Sequence, residues 1–266
     1  MPEHGEPRHV TRYHTDTEGP IVDKQECTRA LRRETDAMAA AVRAGIELPV
    51  PSCPGWTTGD VLTHVGKALN WMAEIVETRS QTPVMPRPNA HGHDWRAPGV
   101  FEWFERGRDH FLDVMESTDP EMPGWSWAGE NRVIFRLWLE SMETALHRWD
   151  EWGASGRQEP IDPALAIDGV DATIRWFLPH RRTFSTLPDG GESYRFDQTD
   201  GPGSWLVWFS DGTVRPGAGE DEADCFACGC ASDILLFLWH RVPPSALATQ
   251  SGAALLERFA RLAPPI

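Results

Sequence analysis

Residues 131–152 read NRVIFRLWLESMETALHRWDEW. Phe135, Trp138, Met142, Leu146 and Trp149 recur every three or four positions, the period of one face of an α-helix. The same segment places Glu143 and His147 four residues apart, beside that apolar stripe. At this spacing Cβ atoms lie only ~5–6 Å apart on a helix surface. Both side chains can therefore reach one cation at ~2.0–2.2 Å. They are either an ordinary helical polar pair or two thirds of a metal site, and a third ligand must come from elsewhere in the chain.

Working outward, three more helices precede this one. Asp23, with Glu26 three residues on, reads as a capping box opening a helix that carries Cys27, Leu31, Met38 and Val42. The turn PSCPGWTTGD follows, and within it Thr57 and Asp60 form a second capping-box pattern. The helix they open carries Val61, Val65, Ala68, Leu69, Met72 and Val76 and ends near Thr78. A proline-rich loop from Ser80 to Pro98 leads to a third helix with Phe101, Phe104, Phe111 and Met115. Four amphipathic helices joined by loops make a four-helix bundle, placed here at residues 21–157 behind a polar tail at 1–20. His4, His9 and His14 in that tail read as solvated.

After GASGRQEP the pattern changes. Asp162-Pro163 opens a short helix with Ile167, Val170, Ile174 and Phe177 as its apolar face. Strand-like runs ESYRF, SWLVWF, TVRP and DCFACG follow, with a turn at Ser210-Asp211-Gly212. A Ser232-capped helix, DILLFLW, and an amphipathic helix, GAALLERFARL, close the chain. Residues 158–266 thus read as a second, α+β domain, and the fold class is α+β with two domains.

The bulk properties fit this reading. A chain of 266 residues is long for one small domain and suits two. A formal net charge of −15 repels a phosphate backbone, which argues against nucleic acid as a partner. No run approaches the ~20 apolar residues that cross a bilayer, and the polar N-terminus lacks the apolar core of a secretory signal. A cytoplasmic, monomeric protein with no membrane partner is the default. Five cysteines, odd in number and unevenly placed, suit reduced thiols.

The candidate for a third ligand is His64, on the flank of the second helix's apolar stripe, where a histidine taken alone is more often structural. His, Glu and His from two helices suit zinc and leave a fourth position open, the mark of a catalytic rather than a structural site. The chain has no HExxH, and Glu143-to-His147 is not the Glu-x-x-His of di-iron bundles. On the residues alone, a metal site and two structural polar features remain open alternatives.

A resemblance adds to this. The segments CPGWTTGDVLTHVGKALNW (53–71) and WAGENRVIFRLWLESMETALHRWD (127–150) resemble the N-terminal domain of the mycothiol-dependent maleylpyruvate isomerase family, within the DinB-like metalloenzyme superfamily. GCASDILLFLWHR (229–241) resembles that family's sterol-carrier-like C-terminal domain. The resemblance spans about residues 23–262. It implies that His64, Glu143 and His147 bind a divalent metal, normally zinc. It also implies that the open position takes the thiol of mycothiol, a low-molecular-weight thiol that attacks a small electrophile as a thiolate. Return of the thiol gives cis–trans isomerisation; its retention gives an S-transferase. Asp150 is then a residue that orients a ligand, or simply the partner of an arginine. Arg241 matches a position that can hold a substrate carboxylate, although relatives commonly have Gly-Arg where this chain has His240-Arg241. A reading of another class is a non-catalytic carrier of hydrophobic ligands.

Two further clusters are weaker. His91, His93 and Asp94 read as a loop near the site's mouth rather than a second metal site. Cys225, Cys228 and Cys230 lack the second pair of a zinc ribbon and read as small buried residues, and Cys53 reads as packing.

Overall fold

The computed structural model describes residues 23–82, 92–126, 131–217 and 222–265. The tail histidines and His91 lie outside them. Four helices make the N-terminal bundle: α1 (Lys24–Ala44), α2 (Thr58–Glu77), α3 (Val100–Ser117) and α4 (Val133–Ala154). α1 packs along α4 and α2 along α3, and α2 also crosses α4. The first cap is simpler than the sequence pattern: Asp23 accepts from the N–H groups of Gln25 and Glu26, satisfying two of the free donors at the helix start. At α2 the capping box is complete, Thr57 and Asp60 each accepting from the other's N–H. Gly66 permits the close α2–α3 approach, since a Cβ there would sit 2.5 Å from the Trp103 ring. No helix among the described residues is long and apolar enough to cross a membrane.

α4 is the central element. Seventeen of its residues are buried, including Arg136, Glu140, Arg148, Asp150 and Glu151. After it comes α5 (Pro163–Ala172), capped by Asp162. The helix does not stop there as a short segment. It runs through a π-helical turn (Thr173–Phe177) into α6 (Leu178–Arg182). Pro179 accounts for the irregular turn: it has no N–H to donate, and its ring would crowd the carbonyl four residues back, which one inserted residue relieves.

Five strands form one mixed sheet in the order β3-β2-β1-β4-β5: β1 (Ser193–Gln198), β2 (Ser204–Ser210), β3 (Thr213–Gly217), β4 (Cys225–Gly229) and β5 (Ala248–Thr249). β1 pairs antiparallel with β2 and parallel with β4. One face presents Tyr194, Phe196, Val207, Phe209, Cys225 and Ala227 to the core. There α7 (Ala231–Leu238) and α8 (Ala253–Leu262) cover it, with Phe259 lying 5.1–5.6 Å from the rings of Tyr194, Phe196, Phe209 and Phe237. Cys225 and Cys228 are three apart on β4 and so face opposite sides of the sheet. They cannot share a metal or a disulfide without breaking the strand. The cap of α7 is Cys230, whose sulfur accepts from the Asp233 N–H, not Ser232. Ser232 instead accepts from the N–H of Ile161, tying the start of α7 to the segment before α5.

Candidate metal centre

The turn before α2 and the last turns of α4 meet at one end of the bundle. His64, two turns into α2, lies with its ring 5.0 Å from that of His147 and 5.2 Å from that of Trp56. On its outer side the His64 ring borders an open cavity of about 420 Å³ lined by Gly55, Trp56, Asp60, Thr63 and Lys67. His64 keeps exposed surface, yet protein atoms crowd around it. That crowding, with His147 beside it, pushes its pKa down to about 3, so the ring is neutral, with one nitrogen protonated and the other free to accept or to ligate.

His147 is fixed from behind. Its Nδ1 lies 3.1 Å from Oδ2 of Asp150, a fully buried carboxylate. Burial alone would raise the pKa of Asp150, but hydrogen bonds from His147 and Arg241 hold it well below the usual carboxylate range. An ionised carboxylate only accepts, so Nδ1 carries a proton and Nε2 is the nitrogen left to face a ligand. Asp150 also accepts from Ser52 Oγ at 2.6 Å and from both Nε (3.2 Å) and Nη2 (3.0 Å) of Arg241, which reaches over from beyond α7.

Glu143 stands one turn before His147. Burial raises its pKa, against the pull of His147, Arg181, Arg241 and Arg136. Among the described residues its carboxylate takes part in no hydrogen bond or ion pair, while His64 and His147 lie side by side. The donor atoms that come within 4.8 Å of one another are a different set: Cys53, His147 and Asp150. That set is poorly suited to a cation. Arg241 already occupies both oxygens of Asp150. The Cys53 thiol is pushed up to about 11 by burial and by Asp150, so it stays protonated at neutral pH and donates weakly to Asp150 at 3.5 Å. By residue type His64, Glu143 and His147 are a donor set that suits zinc; the structure brings the two histidine rings together, but the three donor atoms do not all lie within 4.8 Å of one another.

The other candidates fall elsewhere. The fork of Arg241 is turned onto Asp150, and its Nη1 donates to the carbonyl of Trp239. His240 adopts φ +58, in the region that favours glycine; its ring bonds the Ala263 carbonyl at 2.8 Å. The backbone thus keeps a glycine-like shape despite the histidine. Arg148 pairs with buried Glu34 on α1 at 2.8 Å, away from this centre. His93 contacts the carbonyl of Asp94 and the ring of Trp103, and Asp94 accepts from the Arg96 N–H. Trp95, two residues on, donates to Asp60 at the cavity wall. Sequence reasoning missed Ser52, Cys53 and Trp56 as neighbours of the centre. Their place in the turn that opens α2, eight to twelve residues ahead of His64, was the available signal.

A family model described as the mycothiol maleylpyruvate isomerase N-terminal domain matches residues 28–150. Residues 28–150, a little under half of the chain, are similar to this domain family. The matched span contains His64, Glu143, His147 and Asp150, while Arg241 lies outside it. Two solved structures of the mycothiol-dependent maleylpyruvate isomerase, one of them a point mutant, share the fold. Each superposes with a TM-score of 0.61 at 16% identity over 87% of this chain and 94% of the other. No curated protein matches the sequence.

Proposed function

We propose that the chain is a zinc-dependent enzyme that uses mycothiol to attack a small electrophilic substrate, with His64, Glu143 and His147 as the metal ligands. The observation that carries this is the approach of the two imidazole rings to 5.0 Å, with Nδ1 of His147 held by Asp150 and Glu143 one turn before His147 on α4. A carboxylate behind a ligating histidine fixes its tautomer and raises its basicity. Zinc bound there would lower the pKa of a coordinating thiol, keeping it as thiolate at neutral pH.

The protein's own groups supply the rest. Asp150 keeps the His147 lone pair directed at the centre, and Arg241 keeps Asp150 charged. The open cavity beside Trp56 has room for the body of a thiol cofactor. A thiolate adding to a cis-alkene conjugated with a carbonyl turns the double bond into a single bond. Rotation and loss of the same thiolate then give the trans isomer, with thiol returned unchanged. If the adduct is protonated and released, thiol is consumed and the reaction is an S-transfer. The carrier reading gains no support from the sheet, whose core face is filled by Phe259 and its aromatic neighbours.

The test follows maleylpyruvate and mycothiol together in one reaction. Isomerisation that depends on mycothiol, leaves its concentration unchanged and is lost in His147→Ala is the expected result. Stoichiometric loss of thiol would assign the transferase instead. Turnover indifferent to both mycothiol and His147 would reject the proposal.

A further inference from the structure

Seven polar residues of α4 share one arc of the helix: Arg136, Glu140, Glu143, Thr144, His147, Asp150 and Glu151. At 100° per residue they fall within roughly a third of its circumference. α2 runs antiparallel beside this arc, His64 meeting His147 at one end and Met72 meeting Arg136 at the other. The metal centre accounts for the end of the arc at Glu143 to Asp150. It does not account for Arg136.

Arg136 has no solvent exposure. Its Nη1 lies 2.8 Å from the sulfur of Met72 and its guanidinium sits 5.4 Å over the Trp125 ring. Nε and Nη2 have no hydrogen-bond partner. These two N–H groups form the edge that meets both oxygens of a carboxylate in a bidentate contact. A buried cation with that edge unpaired is costly. The nearest acids on the arc do not pair with it: Glu140 Oε1 is itself buried without a partner, and among the described residues Arg136 forms no ion pair with a carboxylate. Burial lowers the pKa of Arg136 only to about 10, so it remains a cation at neutral pH. Thr144 Oγ1, one turn beyond Glu140, is also buried and unpartnered. The arc therefore holds a fully buried guanidinium edge with no partner and, further along, unpartnered oxygens of Glu140 and Thr144, hydrogen-bonding capacity that a bound ligand would satisfy.

We infer that Arg136 is the anchor of a carboxylate-binding site for a small anionic ligand, with Glu140 one turn further along α4 and Thr144 a turn beyond that. Two helical turns, ~10 Å of rise, separate Arg136 from Glu143. If the zinc–thiol reading holds, on which this part of the inference rests, a substrate's carboxylate lies at Arg136 and its reactive carbon toward His147. Arg136 is then a specificity-determining residue for acidic electrophiles.

The probe is succinate, a dicarboxylate with no electrophilic double bond, titrated into the full-length protein as purified and followed by tryptophan fluorescence. Trp125 beside Arg136 is the reporter. Saturable binding is expected in the wild type and none with uncharged succinamide. Arg136→Met should weaken succinate binding at least tenfold while melting no lower than wild type without ligand, because it removes an unpaired charge. Arg136→Lys, which keeps the charge but loses the fork, should be several-fold weaker, and stands in if the methionine variant does not fold. Binding should persist in His147→Ala, which separates this site from any failure of the metal reading. Wild-type affinity in either Arg136 variant, no saturable binding in wild type, or loss of binding in His147→Ala would each overturn the inference.

Discussion

Asp150 has no exposed surface, yet Ser52, Cys53, His147 and Arg241 all converge on its two oxygens. Such a carboxylate serves two purposes at once: it fixes the tautomer of His147 and neutralises a largely buried arginine from the C-terminal part of the chain. Asp150→Asn keeps the size of the side chain but removes the charge. It leaves Arg241 without its counterion, and we expect a loss of about 3–5 kcal/mol of stability in urea unfolding. Weakening of zinc affinity by roughly 10–100-fold, read by chelator competition, should accompany it. The double variant Asp150→Asn/Arg241→Met should regain part of the stability and none of the affinity. Equal recovery of both would show that Asp150 acts only as a partner for Arg241. Cys53 makes a second prediction at this scale. With its pKa near 11, it should react with a thiol-specific disulfide reagent far more slowly than a free thiol at pH 7.5, which stopped-flow absorbance would measure.

At the scale of the element, α4 combines a strong helical period with a polar arc buried inside the bundle. Glu151 shows what that burial entails. It is 1% exposed, neither carboxylate oxygen has a partner, and burial beside Asp150 raises its pKa well above the usual value. A raised carboxyl pKa means the folded chain keeps a proton that the unfolded chain loses near pH ~4.3. The contribution of this group to stability is therefore complete below that pH and declines as pH rises toward the folded value. Glu151→Gln removes the decline. Its melting temperature should exceed that of wild type by a margin that widens from pH 4.5 to pH 8, reaching about 1–2 kcal/mol of added stability. A margin constant with pH would show that Glu151 is charged and paired in solution. The same helix shows what was legible. Its apolar period and the Glu143/His147 pair could be read directly, because spacing alone sets which residues share a face. That Arg136, Glu140 and Glu151 would also be buried could not, because charged residues on a helix ordinarily mark the solvated side. Pro179 was the residue signal for the π-helical turn, whereas the capping of α7 by Cys230 instead of Ser232 depends on local backbone geometry with no distinct residue signature.

Across the whole molecule, the sites lie where the two halves of the chain meet. Arg241 crosses from beyond α7 to Asp150, Ser232 holds the N–H of Ile161, and Trp176 of the π-helical turn packs against Phe135 and Trp138 of α4 at 4.8 and 5.8 Å. The α+β class and the order of helices and strands followed from periodicity and turn residues. The parallel pairing of β1 with β4 did not, because strand-like runs carry no label for a partner some thirty residues away. His64 could be named as the third ligand on residue type and family resemblance. Its approach to His147 needed the antiparallel packing of α2 on α4. The account rests on that meeting point, and the most direct test is metal content by elemental mass spectrometry of protein purified without chelator. About one zinc per chain is predicted in the wild type, falling to near zero in His64→Ala and in His147→Ala, with the helical circular dichroism of both retained. Wild-type protein that carries no metal and takes up none when zinc is added would contradict it.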